Sequence, residues 1–283
     1  MNISTLFRQV AGRRLLALAL LASPALPASS AVLLQDSFLN GNKAFPDSSS
    51  IGNWTFVDST VTETGGLLTV STSNGAASNS SNFSTSVSPE LNPFTSTIQF
   101  SVSDFSLFGT GDYEGAPGRF RMGLISTAGS FFGTNDAFAL EINSNGLGFK
   151  LGTKLNAASA DPGAATASGT FASAITSFDF IFTATTWDLV LYSGTDVLYD
   201  QSGSWSLGSA DTWGANTGNT GSSALLLALQ NSGATGTSGN KSFSIGEITV
   251  TATAIPEPSR LLLMGGAFCA LLACRRRPLA PSC

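Results

Sequence analysis

The central part of the chain alternates apolar and polar residues with a period of two. Four segments show the pattern most clearly: STIQFSVSDF, AFALEIN, SFDFIFTATTWDLVLY and SFSIGEITVTA. The alternating apolar positions are Ile98, Phe100, Val102, Phe138, Leu140, Ile142, Phe178, Phe180, Phe182, Trp187, Leu189, Leu191, Phe243, Ile245, Ile248 and Val250. Because successive side chains of a strand point to opposite faces, this pattern predicts strands that are buried on one side. In the last segment the phase changes at Gly246 and Glu247, which predicts a β-bulge.

Clusters of Gly, Asn, Ser, Thr and Asp separate the alternating segments and indicate turns and loops. Examples are STSNGAASNSSN, GTGDYEGAPG and GSADTWGANTGNTGSS. We count about a dozen strands with no helical periodicity between them. Trp54 and Trp187 fall on alternating strands and are predicted to lie in the core. The arrangement favours an all-β fold, a two-sheet jelly-roll sandwich.

Residues 1–31 have the layout of a secretory signal peptide. Arg8, Arg13 and Arg14 precede an apolar stretch at 15–22, and small residues follow up to Ala31. A basic, then an apolar, then a small-residue region directs export, and we place cleavage after Ala31. The Sec export machinery is therefore an expected partner, and the region that follows is expected outside the cytoplasm.

A second targeting segment is predicted at residues 255–283. A Pro-Glu-Pro turn leads into an apolar run at 261–274, which ends at three arginines. As a helix the run would cover about 21 Å at ~1.5 Å per residue, less than a hydrocarbon core of ~30 Å. It could span a bilayer only if the bilayer thinned or the flanking arginines snorkelled, and the arginines mark the second end as cytoplasmic. We therefore expect only a transient stay in the inner membrane.

This tail resembles the PEP-CTERM protein-sorting signal of Gram-negative bacteria in the order of its parts, its position and its pairing with a signal peptide. In that family an exosortase, a cysteine-dependent membrane enzyme, recognises the tail and removes it near the PEP motif. Such proteins accompany exopolysaccharide and biofilm production, so the resemblance implies a cell-surface or extracellular-matrix location and exopolysaccharide as a partner. The resemblance implies a role in sorting, and not in catalysis, for six residues: Pro256, Glu257, Pro258, Arg275, Arg276 and Arg277.

The region between the two ends, residues 32–254, is strongly acidic and contains no cysteine. It holds 17 acidic and 6 basic side chains, a net charge of −11, because most arginines lie in the terminal segments. An acidic surface of this kind argues against a nucleic-acid partner. Since all three cysteines lie in the tail, we expect no disulfide in this region, and Cys269 and Cys274, five residues apart with no other ligands nearby, suit no metal ion. Core burial in one domain must provide the stability.

The order of the predicted strands resembles the concanavalin A-like lectin and glucanase sandwich. The features in question are an opening LLQDSF, then GNWTF and GGLLTV, long central strands and a closing FSIGEITVTA. The resemblance covers most of residues 32–254. It implies a carbohydrate-facing fold and specifies no ligand.

The chain contains no histidine, which excludes Ser-His-Asp and Cys-His catalysis and His-ligated zinc. Retaining glycanases of the resembled fold use a Glu-x-Asp-x-x-Glu strand, with two carboxylates about 5 Å apart. Here Glu141, in EINSNG, is followed by Asn143 and by no second glutamate. Asp179 and Asp188 are interpreted as solvated carboxylates on outer strand faces. The sequence therefore predicts no enzyme, with a secreted glycanase as the alternative.

Carbohydrate binding needs an exposed aromatic platform and a few polar groups. Trp213, in a Gly/Asn/Thr-rich loop, and Tyr113, beside Asp112 and Glu114, are the candidate ligand-binding residues. For Trp213 a loop-anchoring role is an equal alternative. Asp112 and Glu114 would also suit a calcium ion, although solvated loop charges are the preferred interpretation, and no other cofactor is expected. The remaining alternative is a structural matrix protein.

Overall fold

The structure, a computed structural model, describes residues 29–56, 61–72, 80–109, 119–127, 136–155, 165–230 and 241–255. Within these ranges the chain forms eighteen β-strands and two short 3-10 helices, Ser144–Gly146 and Ala215–Thr217. The strands are β1 (Ser30–Asp36), β2 (Ser48–Ser49), β3 (Thr55–Phe56), β4 (Val61–Thr64), β5 (Leu67–Thr72), β6 (Ser80–Ser84), β7 (Ser96–Ser103), β8 (Ser106–Gly109), β9 (Arg119–Ile125), β10 (Ala137–Asn143), β11 (Gly148–Lys154), β12 (Ala167–Thr170), β13 (Ser177–Phe182), β14 (Thr186–Ser193), β15 (Asp196–Ser204), β16 (Ala224–Gln230), β17 (Lys241–Ile245) and β18 (Glu247–Ala254). The all-β prediction is confirmed, although several short strands raise their number above the dozen expected.

Residues Ser30–Ala254 form one compact unit. Most of the predicted signal peptide and nearly all of the predicted tail, residues 1–28 and 256–283, lie outside the described residues. Among the residues that the structure describes, no apolar helix has the length needed to cross a membrane.

The strands form three antiparallel sheets. Sheet A has the order β15-β14-β13-β7-β18-β1-β2, sheet B has β12-β11-β10-β9-β16-β6-β3, and sheet C has β4-β5-β17-β8. The first and last strands, β1 and β18, are neighbours, with Ser30 opposite Thr253. The first two residues of β1 therefore belong to the predicted signal peptide.

Sheet C begins where two neighbouring strands of sheet A bend together. The chain passes from β7 to β8 through Asp104 and from β17 to β18 through Gly246. A Cβ atom on Gly246 would lie 2.6 Å from the Cβ atom of Asp104, so only glycine allows the two corners to approach this closely. The β-bulge predicted at Gly246 and Glu247 is wrong, because the change of phase there marks the passage of the chain between two sheets.

Sheets A and B pack against each other through an aromatic core. The ring centroids of Phe100 and Phe182, both in sheet A, are 5.0 Å apart, and Phe182 lies 4.6 Å from Phe138 of sheet B. Both pairs meet edge to face, a geometry that stabilises beyond the burial of apolar area. The sixteen alternating apolar positions named above are each at most 6% exposed, and Trp54 is 4% exposed. The predicted core is confirmed.

The outer faces of the two large sheets differ in their exposure. In sheet A the strands β7, β13, β14 and β18 alternate buried with partly exposed residues, so that the outer face meets solvent. In sheet B the strands β9 and β10 are buried on both sides. The second face of sheet B carries the apolar side chains of Ile125, Ala137, Ala139, Ala224, Leu226 and Ala228. The outer face of sheet A is thus the more accessible of the two.

Candidate functional site

Glu141, the carboxylate nearest to a glycanase pattern, lies within the closed second face of sheet B. Its cross-strand neighbour Arg121 donates from Nε to Oε2 at 2.9 Å, and Arg121 Nη2 lies 2.7 Å from the same oxygen. Asn143 Nδ2 donates to Oε1 at 3.4 Å, and Arg119 Nε lies 3.7 Å from Oε1. Glu141 is 4% exposed and Arg121 is 1% exposed. A carboxylate held in this way forms a buried ion pair within the sheet.

Trp213 anchors its loop and is turned away from solvent. It is 1% exposed, and its Nε1 donates to Ser223 Oγ at 3.1 Å and to the Ser222 carbonyl oxygen at 3.3 Å. Its ring lies 6.3 Å from the ring centroids of both Phe94 and Phe138. An exposed platform at Trp213 is therefore the wrong interpretation, because the indole fills the space beneath its own loop. The loop-anchoring alternative describes its surroundings.

The other predicted site residues lie outside the described ranges and stay predictions. Among the described residues no group of three or more His, Cys, Asp or Glu side chains could hold a metal ion. The residues outside the described ranges are Asp112, Tyr113, Glu114, Pro256, Glu257, Pro258, Arg275, Arg276 and Arg277.

The open face of sheet A contains a hollow of about 260 Å³ where β7, β13, β14 and β18 lie side by side. Asp179 faces Ser101 across one strand pair, and Ser177 faces Tyr192 across the next. The sheet register therefore brings one phenol, two carboxylates and several hydroxyl groups together. The polar lining consists of Ser101, Ser103, Ser177, Asp179, Tyr192, Glu247 and Thr249.

Asp179 is the most strongly bonded carboxylate of this hollow. Ser101 Oγ donates to its Oδ1 at 2.6 Å, and the Tyr192 hydroxyl donates to its Oδ2 at 3.4 Å. On the opposite side, Gln35 Nε2 donates to Glu247 Oε1 at 3.3 Å. Since a carboxylate offers about four lone-pair sites, both groups retain acceptor capacity for a ligand.

Tyr192 stays a neutral hydrogen-bond donor at physiological pH. Partial burial and then the negative charge of Asp179 raise the pKa of its phenol above the ordinary value of 10.0. Its aromatic ring and its hydroxyl therefore both belong to the site in one fixed protonation state.

A second, open hollow of about 570 Å³ follows on the same face. Ile181, in its lining, is the next outward residue after Asp179 on β13, about 7 Å away at ~3.4 Å per residue. The hollow's polar lining consists of Thr97, Thr183, Thr186, Asp188, Ser202 and Ser204. The two hollows and the outward residues of β7, β13, β14, β15 and β18 around them are called the polar face below.

The two outward carboxylates predicted from the sequence differ in their surroundings. Asp188 is exposed, as predicted, whereas Asp179 is half-buried and hydrogen-bonded. The sequence interpretation did not include Tyr192. Its position in the alternating pattern could have predicted it. In WDLVLY the residues Trp187, Leu189 and Leu191 are buried, so Tyr192 falls on the outer face.

No family model matches the chain, and no curated protein matches its sequence. Solved structures resemble it in fold. Peanut lectin with a nine-residue peptide has a TM-score of 0.50 at 13% identity, covering 81% of this chain and 100% of the lectin. A Lotus tetragonolobus seed lectin has a TM-score of 0.50 at 12% identity, covering 76% and 98%. A prokaryotic β-1,3-1,4-glucanase from a mouse hindgut metagenome has a TM-score of 0.46 at 10% identity, covering 76% and 97%.

The two lectins show the fold class of this chain, a concanavalin A-like jelly-roll sandwich. The fold expected from the strand order is thereby confirmed. At these identities the likeness shows the fold alone, so the ligand has to be argued from the site.

Proposed function

We propose that the protein is exported to the cell surface or extracellular matrix and binds carbohydrate there through the polar face of sheet A. The observation that supports binding most directly is the hollow in which Asp179, Tyr192 and Glu247 converge. Two lectins of the same fold support a carbohydrate as the ligand.

The polar face suits a sugar for physical reasons. A sugar ring has an apolar face and a rim of hydroxyl groups, so an aromatic ring surrounded by a few donors and acceptors can hold it. Tyr192 supplies the ring, and Asp179 fixes its hydroxyl while keeping acceptor sites for the sugar. The serine and threonine hydroxyls can donate or accept. Because the face is open, it can take an internal segment of a polysaccharide as well as an end.

Glycan-array binding by the full-length protein tests this proposal. We expect Tyr192→Ala to lose binding at an unchanged melting temperature, because the ring is removed from a surface and not from the core. Phe108→Ala is the matched control, since Phe108 is an aromatic residue 60% exposed on sheet C, outside the polar face. Wild-type protein that binds no glycan would overturn the proposal and favour a structural matrix protein.

The glycanase alternative would need Glu141 as a catalytic carboxylate. Its burial and its bonds to Arg121 argue against that role, because an acid or nucleophile must reach the glycosidic bond. We therefore expect no hydrolysis of polysaccharides. Turnover by the wild-type protein that vanishes in Glu141→Gln, measured on variant protein whose fold is verified, would reverse this conclusion.

Export and sorting form the second half of the proposal. Export is inferred from the signal-peptide layout of residues 1–31, and sorting from the resemblance of the tail. The Sec machinery would export the chain, and an exosortase would remove the tail near Pro256, Glu257 and Pro258. Changing these three residues to alanine should then leave a membrane-bound precursor. Intact-mass analysis of surface, membrane and medium fractions measures this. A wild-type surface fraction that still carries Arg275 to Arg277 would leave a plain membrane anchor in place of a sorting signal.

A further inference from the structure

The polar face carries formal charge of one sign. Its carboxylates are those of Asp179, Asp188, Asp200 and Glu247, which occupy outward positions on four strands of sheet A. None of the seven strands described for this sheet contains a lysine or an arginine. The structure shows no ion pair for these four carboxylates among the described residues. The face therefore presents an acidic surface without a counter-charge from its own sheet.

The basic residues of the domain are concentrated in the other large sheet. Four of the six that the sequence holds between positions 32 and 254 lie on β9 and β11 of sheet B. These four are Arg119, Arg121, Lys150 and Lys154. This segregation gives the two sheets opposite charge, and it makes the negative sign of the polar face a local property beyond the acidity of the whole domain.

The carboxylates are spread along the face and are not gathered at one point. Asp179 and Asp200 lie in one cross-strand row on either side of Val190, about 10 Å apart at a strand spacing of ~4.8 Å. Asp188 lies in the next row, and Glu247 beside the first hollow. A single metal ion needs oxygen ligands within about 2.6 Å. Charges at this spacing instead suit a ligand that repeats its own charges.

The length of the face also favours a polymer. The two hollows follow one another along β14, from Tyr192 in the first to Thr186 in the second. Six residues of a strand cover about 20 Å at ~3.4 Å per residue. Both hollows are open to solvent, so a chain can lie across them without threading an end.

We propose that the ligand of the polar face is a cationic polysaccharide, a polymer of amino sugars with free amino groups, bound as an extended segment along both hollows. This inference rests on the proposed carbohydrate binding and specifies its ligand class. Ammonium groups only donate hydrogen bonds and carboxylates only accept them, so the two are complementary, and such charge-assisted bonds are stronger than neutral ones. A polyuronate, in contrast, would meet four carboxylates of its own sign.

The test compares three soluble polymers as ligands of the full-length protein: glycol chitosan, the same polymer after complete N-acetylation, and alginate. We expect the amine form to bind about tenfold more tightly than the N-acetylated form, because a few exposed ion pairs together contribute a binding free energy of about that size. The difference should shrink as salt is added, because surface charges are screened. Alginate should bind least.

Two variants with the same change of net charge isolate the face. Asp188→Asn with Asp200→Asn removes two exposed carboxylates of the polar face, and we expect a loss of about 2- to 30-fold for glycol chitosan and none for the N-acetylated polymer. Glu90→Gln with Asp211→Asn removes two exposed loop carboxylates that lie outside the strands of sheet A, and binding should stay at the wild-type level.

Two results would overturn the proposal that the ligand is cationic and leave carbohydrate binding in place. One is equal binding of the two chitosan forms, and the other is an equal loss of binding in both double variants. Binding of poly-lysine as tight as that of glycol chitosan would overturn it as well, because the face would then attract any polycation. If no polysaccharide binds, the proposed function itself fails.

Discussion

Asp36 is the buried carboxylate whose ionisation should govern the stability of the domain near neutral pH. It is 1% exposed, its Oδ2 accepts a hydrogen bond from Trp54 Nε1 at 2.9 Å, and its Oδ1 accepts one from the Phe38 amide at 3.0 Å. Burial raises its pKa from 3.8 to about 6, and the bonds from Trp54 and Phe38 offset that increase only in part. The negative charges of Asp47 and Glu63 raise the pKa further.

The sign of the effect follows from proton linkage. Because the folded protein holds the proton of Asp36 more tightly than the unfolded chain, stability falls as pH rises between 3.8 and about 6. A pKa difference of about 2 corresponds to about 3 kcal/mol at ~1.36 kcal/mol per unit. The contribution is fully present below the lower value and lost above the upper one. Asp47 acts in the opposite direction and only at lower pH, since hydrogen bonds from Ser37 lower its pKa below 3.8.

Urea denaturation of wild type and Asp36→Asn at about pH 4 and about pH 7.5 measures this contribution. We expect the wild-type free energy of unfolding to decrease by up to about 3 kcal/mol more than that of the variant. The variant should be less stable than wild type at the lower pH by about 1–3 kcal/mol, because an amide accepts only one of the two N–H bonds. Asp188→Asn, at an exposed site, should follow wild type. Equal pH dependence in wild type and Asp36→Asn would refute the reasoning.

Three further predictions concern packing. Glu141→Gln removes the charge that Arg121 Nε and Nη2 contact, so urea denaturation should show a loss of about 3–5 kcal/mol, and a loss below about 1 kcal/mol would contradict a buried ion pair. Gly123→Ala should abolish folding, because its Cβ atom would lie 1.9 Å from a backbone oxygen of the neighbouring strand. At Gly218 an added Cβ atom would have no neighbour within 4 Å, so Gly218→Ala should lower the stability only by the left-handed backbone penalty of about 1–2 kcal/mol. Similar melting temperatures for the two alanine variants would therefore refute the clash at Gly123. Trp213→Ala should cost about 3–5 kcal/mol and leave the glycan affinity of the folded protein unchanged, whereas an affinity loss at wild-type stability would restore the indole as a ligand contact.

The inward faces of sheet A could be predicted from the sequence because one side of that sheet meets solvent. Under that condition the period of two in the sequence equals the period of burial, as in the alternating strands β7 and β13. The same argument fails for β10, where Ala139 and Glu141 are buried although they occupy the positions expected to face solvent. Alternation reports the polarity of each side chain and does not report whether a second layer covers it.

The candidate site depends on contacts between distant parts of the chain. Tyr192 and Asp179 are 13 residues apart and meet because β13 and β14 form a hairpin, a register that the alternating pattern makes visible. Ser101 comes from a strand 78 residues earlier, and no local pattern predicts that pairing. The sequence leaves two interpretations of Trp213 for the same reason, since its burial depends on Phe138 and Phe94 from other parts of the chain.

The measurement that tests the central claim most directly is calorimetric titration of the full-length protein with its best glycan from the array, comparing wild type, Tyr192→Ala and Phe108→Ala. The account predicts saturable binding with the same affinity for wild type and Phe108→Ala. For Tyr192→Ala it predicts a loss of about tenfold or more, as expected when a binding hot spot is truncated, with an unchanged melting temperature. Wild-type affinity in Tyr192→Ala would contradict it, because the ligand would then bind away from the polar face of sheet A.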